Sequence, residues 1–451
     1  MLTIRYFIRL LTAFIVRFRG IILLGTFLGA IIFLALRILG PHSLTRSTQR
    51  VGIVGRYRVE NLPDSVLTLI GNGLTKIKED GTVAPDLAYQ WESPDAGQTW
   101  VFKLKDGIFW QDGKRLTSAS INYQFTDAKI ERPDDETITF KLESAFAPFP
   151  YVVAKPTFRK GLLGTGEWRV TKATVSAGFI QKLVLVNKDG DRKILRFYPT
   201  EERAKLGFKL WEIDILQGIF NPKPFNEWNM VEIEKEVGNS RYVAIFFNTQ
   251  DKLFGEKSFR QALAYAIKKE GFDGPRAISP ISPSSWAFNP QVKPYNYDSV
   301  RAQELIDDLA KELKENLTVN IITTPALLSV AESISKDWAD VGVKGNVQVS
   351  SGVPSEYQAL LAIFDIPEDP DQYSIWHSTQ TASNITHYQN PRIDKLLEDG
   401  RVELNLEERK KIYLDFQRFL VEDSPAAFLY HPVNYTIRRK YFFLFLNQLI
   451  I

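Results

Sequence analysis

The N-terminal apolar run places the strongest constraint on this chain. The 17 residues from Gly20 to Leu36 carry no charge, and Ile38 and Leu39 extend the run past Arg37. This length just reaches what a helix needs to cross the hydrocarbon core of a bilayer. Four arginines precede the run, so the positive-inside rule places the N-terminus in the cytoplasm and the rest of the chain outside. We expect residues 1–40 to be a membrane anchor and residues 41–50 a polar tether. A cleaved signal peptide and a buried core helix are the alternatives.

The net charge of the chain after residue 50 indicates which kinds of molecule it can bind. The first 50 residues hold seven arginines and no acidic residue, which leaves 49 basic against 53 acidic residues, a net charge of about −4. A mildly acidic body argues against binding to nucleic acid. The chain has no cysteine, which excludes disulfides, thiolate metal sites and a catalytic thiol. We expect a monomer without cofactor or metal.

Hydrophobic periodicity changes along the body, which at this length has room for two or three lobes. The first half is β-rich and the second half alternates strands with helices, which suits two lobes with a cleft between them. Asp298 is predicted to cap one of the helices. The predicted strands are 51–57, 99–113 as a hairpin, 135–144, 167–172, 179–188, 241–249 and 317–324, and the predicted helices are 256–270, 299–316, 327–343, 391–400 and 406–423.

Six stretches, in this order, carry a resemblance to a known family. They are "NGLTKIKEDGTVAPDLAYQW" with the hairpin after it, "LLGTGEWRV", "AIFFNTQDKLFGEKSFRQALAYAIKKE", "SSWAFNPQVKPYNYDSVRAQELI", "NPRIDKLLEDGR" and "EERKKIYLDFQRFLVEDSPAAFLYHP". Together they resemble the family 5 extracellular solute-binding proteins of ABC importers, the oligopeptide- and dipeptide-binding type.

The resemblance implies the fold class: an α/β, two-lobed periplasmic-binding-protein type II fold with a central cleft. It divides the chain into lobe I at 51–250, completed by 430–451, and lobe II at 251–429. The family's extra subdomain, expected at about 76–160, is contracted, because the stretch from Thr117 to Gly164 spans only 48 residues. The stretch 441–451, "YFFLFLNQLII", is too short to span a membrane; a buried strand or an interfacial contact would explain it.

Three acids, Glu368, Asp369 and Asp371, surround Pro370 and shortly precede His377. A catalytic carboxylate pair, a metal site and a loop at the cleft edge are the three interpretations. Two acids so close in sequence are common on any surface, and His377 lies ten residues from His387 without metal-ligand spacing. Asp-Pro and Pro-Asp steps are typical of turns, which favours the loop.

The resemblance also implies ligand contacts. Relatives place an acid just before this turn, where it pairs with the α-amino group of a bound peptide. Asp365 is the nearest match, and Asp369 stays an alternative because the spacing is one residue longer here. The pocket walls and a peptide-backbone partner are predicted at Trp110, Trp286, Tyr295, Trp376 and Asn384, against the alternative that each is a core or turn-capping residue.

The function that this implies is transport without chemistry. We expect a single-pass protein of the cell membrane, with its body on the extracellular or periplasmic side, that captures peptides and delivers them to an ABC permease by hinge closure. Some dipeptide-binding relatives hold the ligand carboxylate with an arginine after the 317–324 strand, and none follows here, which favours longer peptides. A sensor, cell-surface chaperone or assembly factor of the same fold is the alternative, and a tethered hydrolase is the second.

Overall fold

Two separate β-sheets organise the body of the molecule. The computed structural model describes residues 4–43, 47–314, 317–350, 352 and 356–440. The helices are α1 (Ile4–Ser43), α2 (Asp64–Ile70), α3 (Phe149–Val152), α4 (Glu201–Lys209), α5 (Lys257–Ala266), α6 (Ser299–Asp307), α7 (Lys311–Lys314), α8 (Leu328–Ala339), α9 (Tyr373–Trp376), α10 (Pro391–Val402) and α11 (Leu406–Asp423). The strands are β1 (Thr48–Val54), β2 (Thr75–Ile77), β3 (Val83–Pro85), β4 (Ala88–Glu92), β5 (Thr99–Leu104), β6 (Ala128–Asp134), β7 (Thr137–Leu142), β8 (Arg169–Ser176), β9 (Phe179–Val186), β10 (Arg192–Tyr198), β11 (Ile215–Ile219), β12 (Val231–Val237), β13 (Arg241–Phe247), β14 (Thr318–Thr323), β15 (Lys344–Val349), β16 (Ala359–Asp365), β17 (Ala426–Tyr430) and β18 (Val433–Arg439).

A seven-stranded mixed sheet forms the first lobe, in the order β12-β18-β11-β1-β10-β9-β8. β1 is parallel to both β10 and β11, so the strand that opens the body lies in the interior of the sheet. One cluster of buried apolar side chains joins this sheet to α2, and a second joins it to α4. Both faces are therefore covered, as expected where parallel pairs occur.

The second lobe has its own sheet, in the order β15-β14-β16-β13-β17. β13 is central, and six of its seven residues are buried. Its core includes side chains from α5, α6, α8, α10 and α11, which makes it the largest apolar cluster in the described chain. The sequence-based division placed 241–249 in lobe I, but β13 pairs with β16 and β17. A buried apolar run does not specify which of two sheets it joins, and this boundary needed the tertiary structure.

The contracted subdomain is a four-stranded antiparallel sheet, β4-β5-β7-β6, with an aromatic core that includes Trp100, Phe102, Phe140 and Phe149. The sequence predicts a hairpin over 99–113, but the strands of this sheet do not pair in that way. β5 pairs with β4 and β7 instead, and the following segment makes only a bridge between Phe109 and Arg115. Gly107 in that segment has a positive φ of 72°, which ends the strand in a turn.

The chain crosses between the two sheets twice. The β12–β13 connection and the β17–β18 connection run side by side, and the Gly238 N–H donates to the Pro432 carbonyl at 2.9 Å. β18 returns to the seven-stranded sheet, as the resemblance implies for the end of the chain; residues 441–451 lie outside the described residues. Two adjacent connections form the kind of hinge that allows one lobe to close on the other.

The N-terminal helix α1 runs to Ser43, and β1 begins at Thr48, so much of the predicted tether at 41–50 belongs to helix or strand. Leu11–Ile31 of α1 is long and apolar enough to cross a membrane by length and composition, and none of it is buried in the protein. A buried core helix, one of the alternatives, does not describe this segment.

One predicted helix boundary is confirmed and another is wrong. Asp298 caps α6, because its Oδ1 accepts the Arg301 N–H at 2.8 Å. The same helix was predicted to reach residue 316, yet it ends at Asp307 and a separate turn of helix, α7, follows.

The interlobe cleft as a candidate functional site

A cavity of about 750 Å³ opens between the first lobe and the turn at Pro370. Its volume lies within the range typical of small-molecule sites, roughly 300 to 1,000 Å³. The first lobe supplies nearly all of the lining, and Glu368 is the contribution of the second lobe. The lining residues are Asp64, Thr68, Gly71, Asn72, Gly73, Lys76, Ile77, Lys78, Glu79, Asp86, Tyr151, Val152, Ala154, Lys155, Pro156 and Glu368.

The cleft presents charges of both signs. Lys76, Lys78 and Lys155 lie on its first-lobe wall, among the acids given above. Desolvation raises the pKa of Glu368, and the charge of Asp64 across the cleft raises it further. In the described part of the chain, Glu368 takes part in no ion pair. Its carboxylate is therefore available to a cation from outside the protein.

The neighbouring carboxylate, Asp369, is buried and fully engaged. Arg409 donates two hydrogen bonds to it, from Nη1 to Oδ2 at 2.7 Å and from Nη2 to Oδ1 at 2.6 Å. The Asp371 N–H adds a third bond to Oδ1 at 2.8 Å. Burial pulls the pKa of Arg409 down, but the Asp369 carboxylate raises it overall. This bidentate pair holds the turn, and Asp369 has no free oxygen for a ligand amine.

Local sequence signals position the arginines beneath the turn. Asn405 caps α11 by accepting the Glu407 and Glu408 N–H groups, which sets Arg409 one turn into the helix. Arg401, near the end of α10, pairs with Asp371 at 3.2 Å. Both helices thus direct a guanidinium at the acids around Pro370.

Asp365, the predicted amine partner, lies at the end of β16, and its side chain is 80% exposed. Its Oδ1 accepts the Arg241 Nε–H at 2.6 Å, beside the hinge. A ligand amine there would have to displace this guanidinium. Glu368, three residues later, is the acid of this segment that lines the cleft.

Three of the predicted wall residues are core residues. Trp110 is buried in the subdomain, and Tyr295 and Trp376 are buried in the second lobe. The indole N–H groups of both tryptophans have hydrogen-bond partners within the protein. Trp110 Nε1 donates to Ser120 Oγ at 2.9 Å, and Trp376 Nε1 donates to Gln372 Oε1 at 2.8 Å. An apolar core recruits aromatic residues for their area, and sequence alone does not separate them from pocket aromatics.

Asn384 is likewise buried and holds its own loop, since its Nδ2 donates to the Tyr388 carbonyl at 2.9 Å. Asn384 therefore acts as a turn-capping residue, which was the alternative to a ligand contact. His377 is buried against Thr379 and Glu398. Within the described residues, no three His, Asp or Glu side chains converge as a metal site would require.

Trp286 is the one predicted aromatic that reaches the junction of the lobes. Its Nε1 donates to the Tyr151 hydroxyl at 2.9 Å, and that hydroxyl donates to the Gly81 carbonyl at 2.7 Å. Tyr151 also lines the cleft, and the Arg409 guanidinium lies 5.7 Å from the centroid of the Trp286 ring. The indole therefore links the buried ion pair to the cleft wall.

The contributions of Asp64, Lys155 and Tyr151 to the cleft left no signal in the sequence. They come from separate segments of the first lobe that only the fold brings together. Glu368 had one signal, the extra residue between Asp365 and the Asp-Pro step, but that signal did not point to a role.

Comparison with known proteins identifies the family. The model of bacterial extracellular solute-binding proteins, family 5 Middle, matches residues 82–384. This chain belongs to that family. One curated relative, the probable D,D-dipeptide-binding periplasmic protein DdpA of Escherichia coli, is 20% identical over 81% of this chain and 83% of its own length. The oligopeptide-binding protein AppA of Bacillus subtilis is 22% identical over 84% of both chains.

Solved structures share the fold. The substrate-binding protein CtaP of Listeria monocytogenes superposes with a TM-score of 0.73 at 20% identity, over 87% of this chain and 94% of its own. NikZ of Campylobacter jejuni, solved with Ni(L-His), superposes with a TM-score of 0.70 at 22% identity, over 88% and 95%. The predicted two-lobed periplasmic-binding-protein fold is therefore confirmed. The curated relatives named here are binding proteins rather than enzymes.

Proposed function

We propose that this chain is a membrane-anchored solute-binding protein that captures peptides outside the cell and delivers them to an ABC permease. The cleft carries this proposal, because its two walls offer several lysines and a carboxylate without an ion pair among the described residues, across a cavity of about 750 Å³. A peptide with free termini brings one ammonium and one carboxylate to such a site. The names of DdpA and AppA, and the AppA structure solved with a nonapeptide, support a peptide ligand.

In this proposal Glu368 receives the α-amino group of the peptide, with Asp365 as the second candidate. A cationic ligand would offset both the desolvation of the Glu368 carboxylate and its repulsion from Asp64. Lys76 and Lys155 would attract the peptide carboxylate on the first-lobe wall. Backbone hydrogen bonds along the cleft would hold the rest of the peptide without reading its sequence.

The lobes would close around the ligand by rotation at the two crossings near Gly238 and Pro432. The Arg241–Asp365 pair lies beside these crossings, and its atoms would move little during such a rotation. The protein performs no chemistry in this scheme, and release to the permease requires only reopening.

The anchor in this proposal is α1. Its exposed apolar side chains over Leu11–Ile31 have no partner surface on the body of the described chain. Fractionation of cells should find the full-length protein in membranes, with the body open to protease added outside. A soluble mature form that begins after about residue 40 would instead identify α1 as a cleaved signal peptide.

Peptide capture is tested by incubating the full-length protein in detergent with a peptide mixture and identifying the retained peptides by mass spectrometry. We expect enrichment of intact peptides and a higher melting temperature, because a ligand that binds only the native state stabilises it by mass action. Time-dependent cleavage would support the hydrolase alternative. Absence of enrichment for any peptide would favour the sensor, chaperone or assembly role.

A further inference from the structure

The contracted subdomain touches the second lobe along a short seam. The Ala147 N–H donates to the Arg401 carbonyl at 2.7 Å, which joins the segment after β7 to the end of α10. The Arg401 guanidinium lies over two rings, 4.9 Å from the centroid of Phe146 in the subdomain and 4.4 Å from the centroid of Tyr373 in the second lobe. The two sides of the seam therefore come from different parts of the fold.

A cavity of about 400 Å³ opens at this seam, and we call it the seam cavity. Its volume lies in the range that is typical of small-molecule sites. Among the described residues, Val152 alone borders both this cavity and the interlobe cleft, so the two are different sites. The apolar part of its lining includes Phe125, Leu142, Phe146, Phe149, Tyr373 and Val402.

The charged groups on the lining are mainly carboxylates. Asp127 and Glu143 belong to the subdomain, and Glu398 belongs to α10. Asp127 and Glu143 form no ion pair with any residue that the structure describes. Glu398 is 52% exposed and has only His377 beside it, with the histidine Nε2 3.3 Å from its Oε1. The negative charge of the lining is therefore not balanced within the cavity.

Arg401 is the only basic residue that the described part of the chain contributes to this lining, and its charge is already matched. Its Nε lies 3.2 Å from the Asp371 carboxylate, and its guanidinium is covered by the two rings of the seam. An anion in the cavity would have to compete with Asp371 for this arginine. The seam cavity is consequently a poor site for an anion.

The pleat of the subdomain sheet directs its lysines away from the cavity. Ala128 and Leu142 pair directly across β6 and β7, and both line the cavity. Successive side chains of a strand point to opposite faces, so Lys129 and Lys141 lie on the other face. There each of them pairs with Glu131 at 2.9 Å. These two positive charges are thus unavailable to the acids of the lining.

We propose that the seam cavity binds an organic cation with an apolar body, of the arylammonium or alkylammonium class. The faces of aromatic rings attract cations, and the carboxylates of the lining supply the opposite charge. Arg401 between Phe146 and Tyr373 is an internal example of the same attraction on the same wall. The apolar lining takes the body of the ligand out of water. This site does not depend on the capture of peptides in the interlobe cleft.

The probe for this site is benzyltrimethylammonium, which keeps its charge at every pH. Its binding to the full-length protein in a non-ionic detergent is measured by equilibrium dialysis, with the detergent alone as the blank. The uncharged benzyl alcohol and the anionic benzenesulfonate are tested as competitors. We expect saturable binding of the cation, and competition by neither of the other two. Equal competition by benzyl alcohol would show that charge is not recognised, and competition by benzenesulfonate would assign the cavity to anions; either result overturns the proposal.

Two pairs of substitutions test the carboxylates. Asp127→Asn together with Glu398→Gln removes two charges from the lining and should weaken binding of the probe severalfold. Glu131→Gln together with Asp399→Asn is the matched control, because it removes two acids of the same strand and helix that pair with lysines outside the cavity. Melting temperatures of the ligand-free variants show that each is folded. Equal binding by the two double variants contradicts the role of the lining acids.

The absence of cysteine allows the place of binding to be tested separately, because an introduced cysteine is the only thiol. Ser144 is an exposed residue of the lining, so Ser144→Cys can be modified with a bulky uncharged maleimide that fills the cavity. We expect the modified protein to lose the probe while the unmodified variant keeps it. Binding that survives the modification places the cation elsewhere and overturns the proposal. Displacement of the probe by a peptide retained in the cleft would make the cavity part of the cleft and overturns it as well, whereas failure to capture any peptide leaves it standing.

Discussion

The turn at Pro370 has an inner and an outer face, and adjacent acids on the two faces have different surroundings. On the inner face Asp369 is buried and receives both arms of the Arg409 guanidinium. On the outer face Glu368 faces Asp64 across the cleft. A buried carboxylate with a complete set of donors contributes to the structure, whereas a partly desolvated one without a cation is ready to bind one. This difference separates the structural acid from the acid proposed to bind the ligand more clearly than position in sequence does.

The largest effect on stability should come from removing the Asp369–Arg409 ion pair on the inner face of the turn. Asp369→Asn leaves the Arg409 charge buried without a counterion, so the free energy of unfolding should fall by about 3–5 kcal/mol. Urea denaturation measures it. Glu408→Gln is the matched control on the same helix, because it removes the exposed Lys411–Glu408 pair and should change stability by less than about 1 kcal/mol. Equal losses in the two variants would mean that the inner face is not structural.

On the outer face, the charge of Glu368 should affect the affinity for peptide rather than the stability of the fold. Glu368→Gln keeps the shape but loses the charge, and hydrogen bonds to charged groups contribute roughly 1.5–3 kcal/mol. Peptide affinity should therefore weaken about 10- to 150-fold. Calorimetry with free and N-acetylated peptide checks the cause, since acetylation should weaken binding to the unmodified protein and scarcely affect the variant.

Asp365→Asn is the comparison that sharpens this assignment. If Glu368 holds the amine, Asp365→Asn should change peptide affinity little, because it removes only the partner of Arg241. A large loss in Asp365→Asn with none in Glu368→Gln would move the amine to the position that the family resemblance implied, with the ligand displacing Arg241.

The pH dependence should follow from the raised pKa of Glu368 in the ligand-free protein. Because its folded pKa lies above the ordinary value of 4.5, its contribution lowers the free energy of unfolding as pH rises from 4.5 through the raised value. A peptide ammonium favours the ionised form, so affinity should increase over the same range. Calorimetric titrations across this range should show the increase in the unmodified protein and a flat profile in Glu368→Gln.

The smallest effect should come from removing the hydrogen bond between Trp286 and Tyr151, which connects the inner face of the turn to the cleft. Tyr151→Phe removes the hydroxyl that accepts from Trp286 and donates to the Gly81 carbonyl. An ordinary hydrogen bond contributes about 0.5–1.5 kcal/mol net, so we expect a loss of stability in that range with modest weakening of peptide binding. A double-mutant cycle with Trp286→Phe measures the coupling, and a coupling free energy of zero would show that the indole does not connect the faces.

The sequence by itself determined the family, the two-lobed fold and the apolar helix α1, because these depend on local patterns and on motifs in order along the chain. Asp298 as a helix cap is of the same kind, since a cap is decided by residues three positions apart. The turn at Pro370 was also recognisable from its Asp-Pro and Pro-Asp steps.

Only the tertiary structure decided which acid is buried in an ion pair and which acid lines the cleft. Asp369 is held in an ion pair because Arg409, which lies 40 residues later in helix α11, donates a hydrogen bond to its carboxylate. Trp376 and Trp286 have the same chemistry, yet packing buries one in a core and leaves the other at the junction of the lobes. The convergence of β1 and β18 at one edge likewise depends on pairing between distant strands. Burial and counterions arise from contacts between segments far apart in sequence, and no local pattern encodes them.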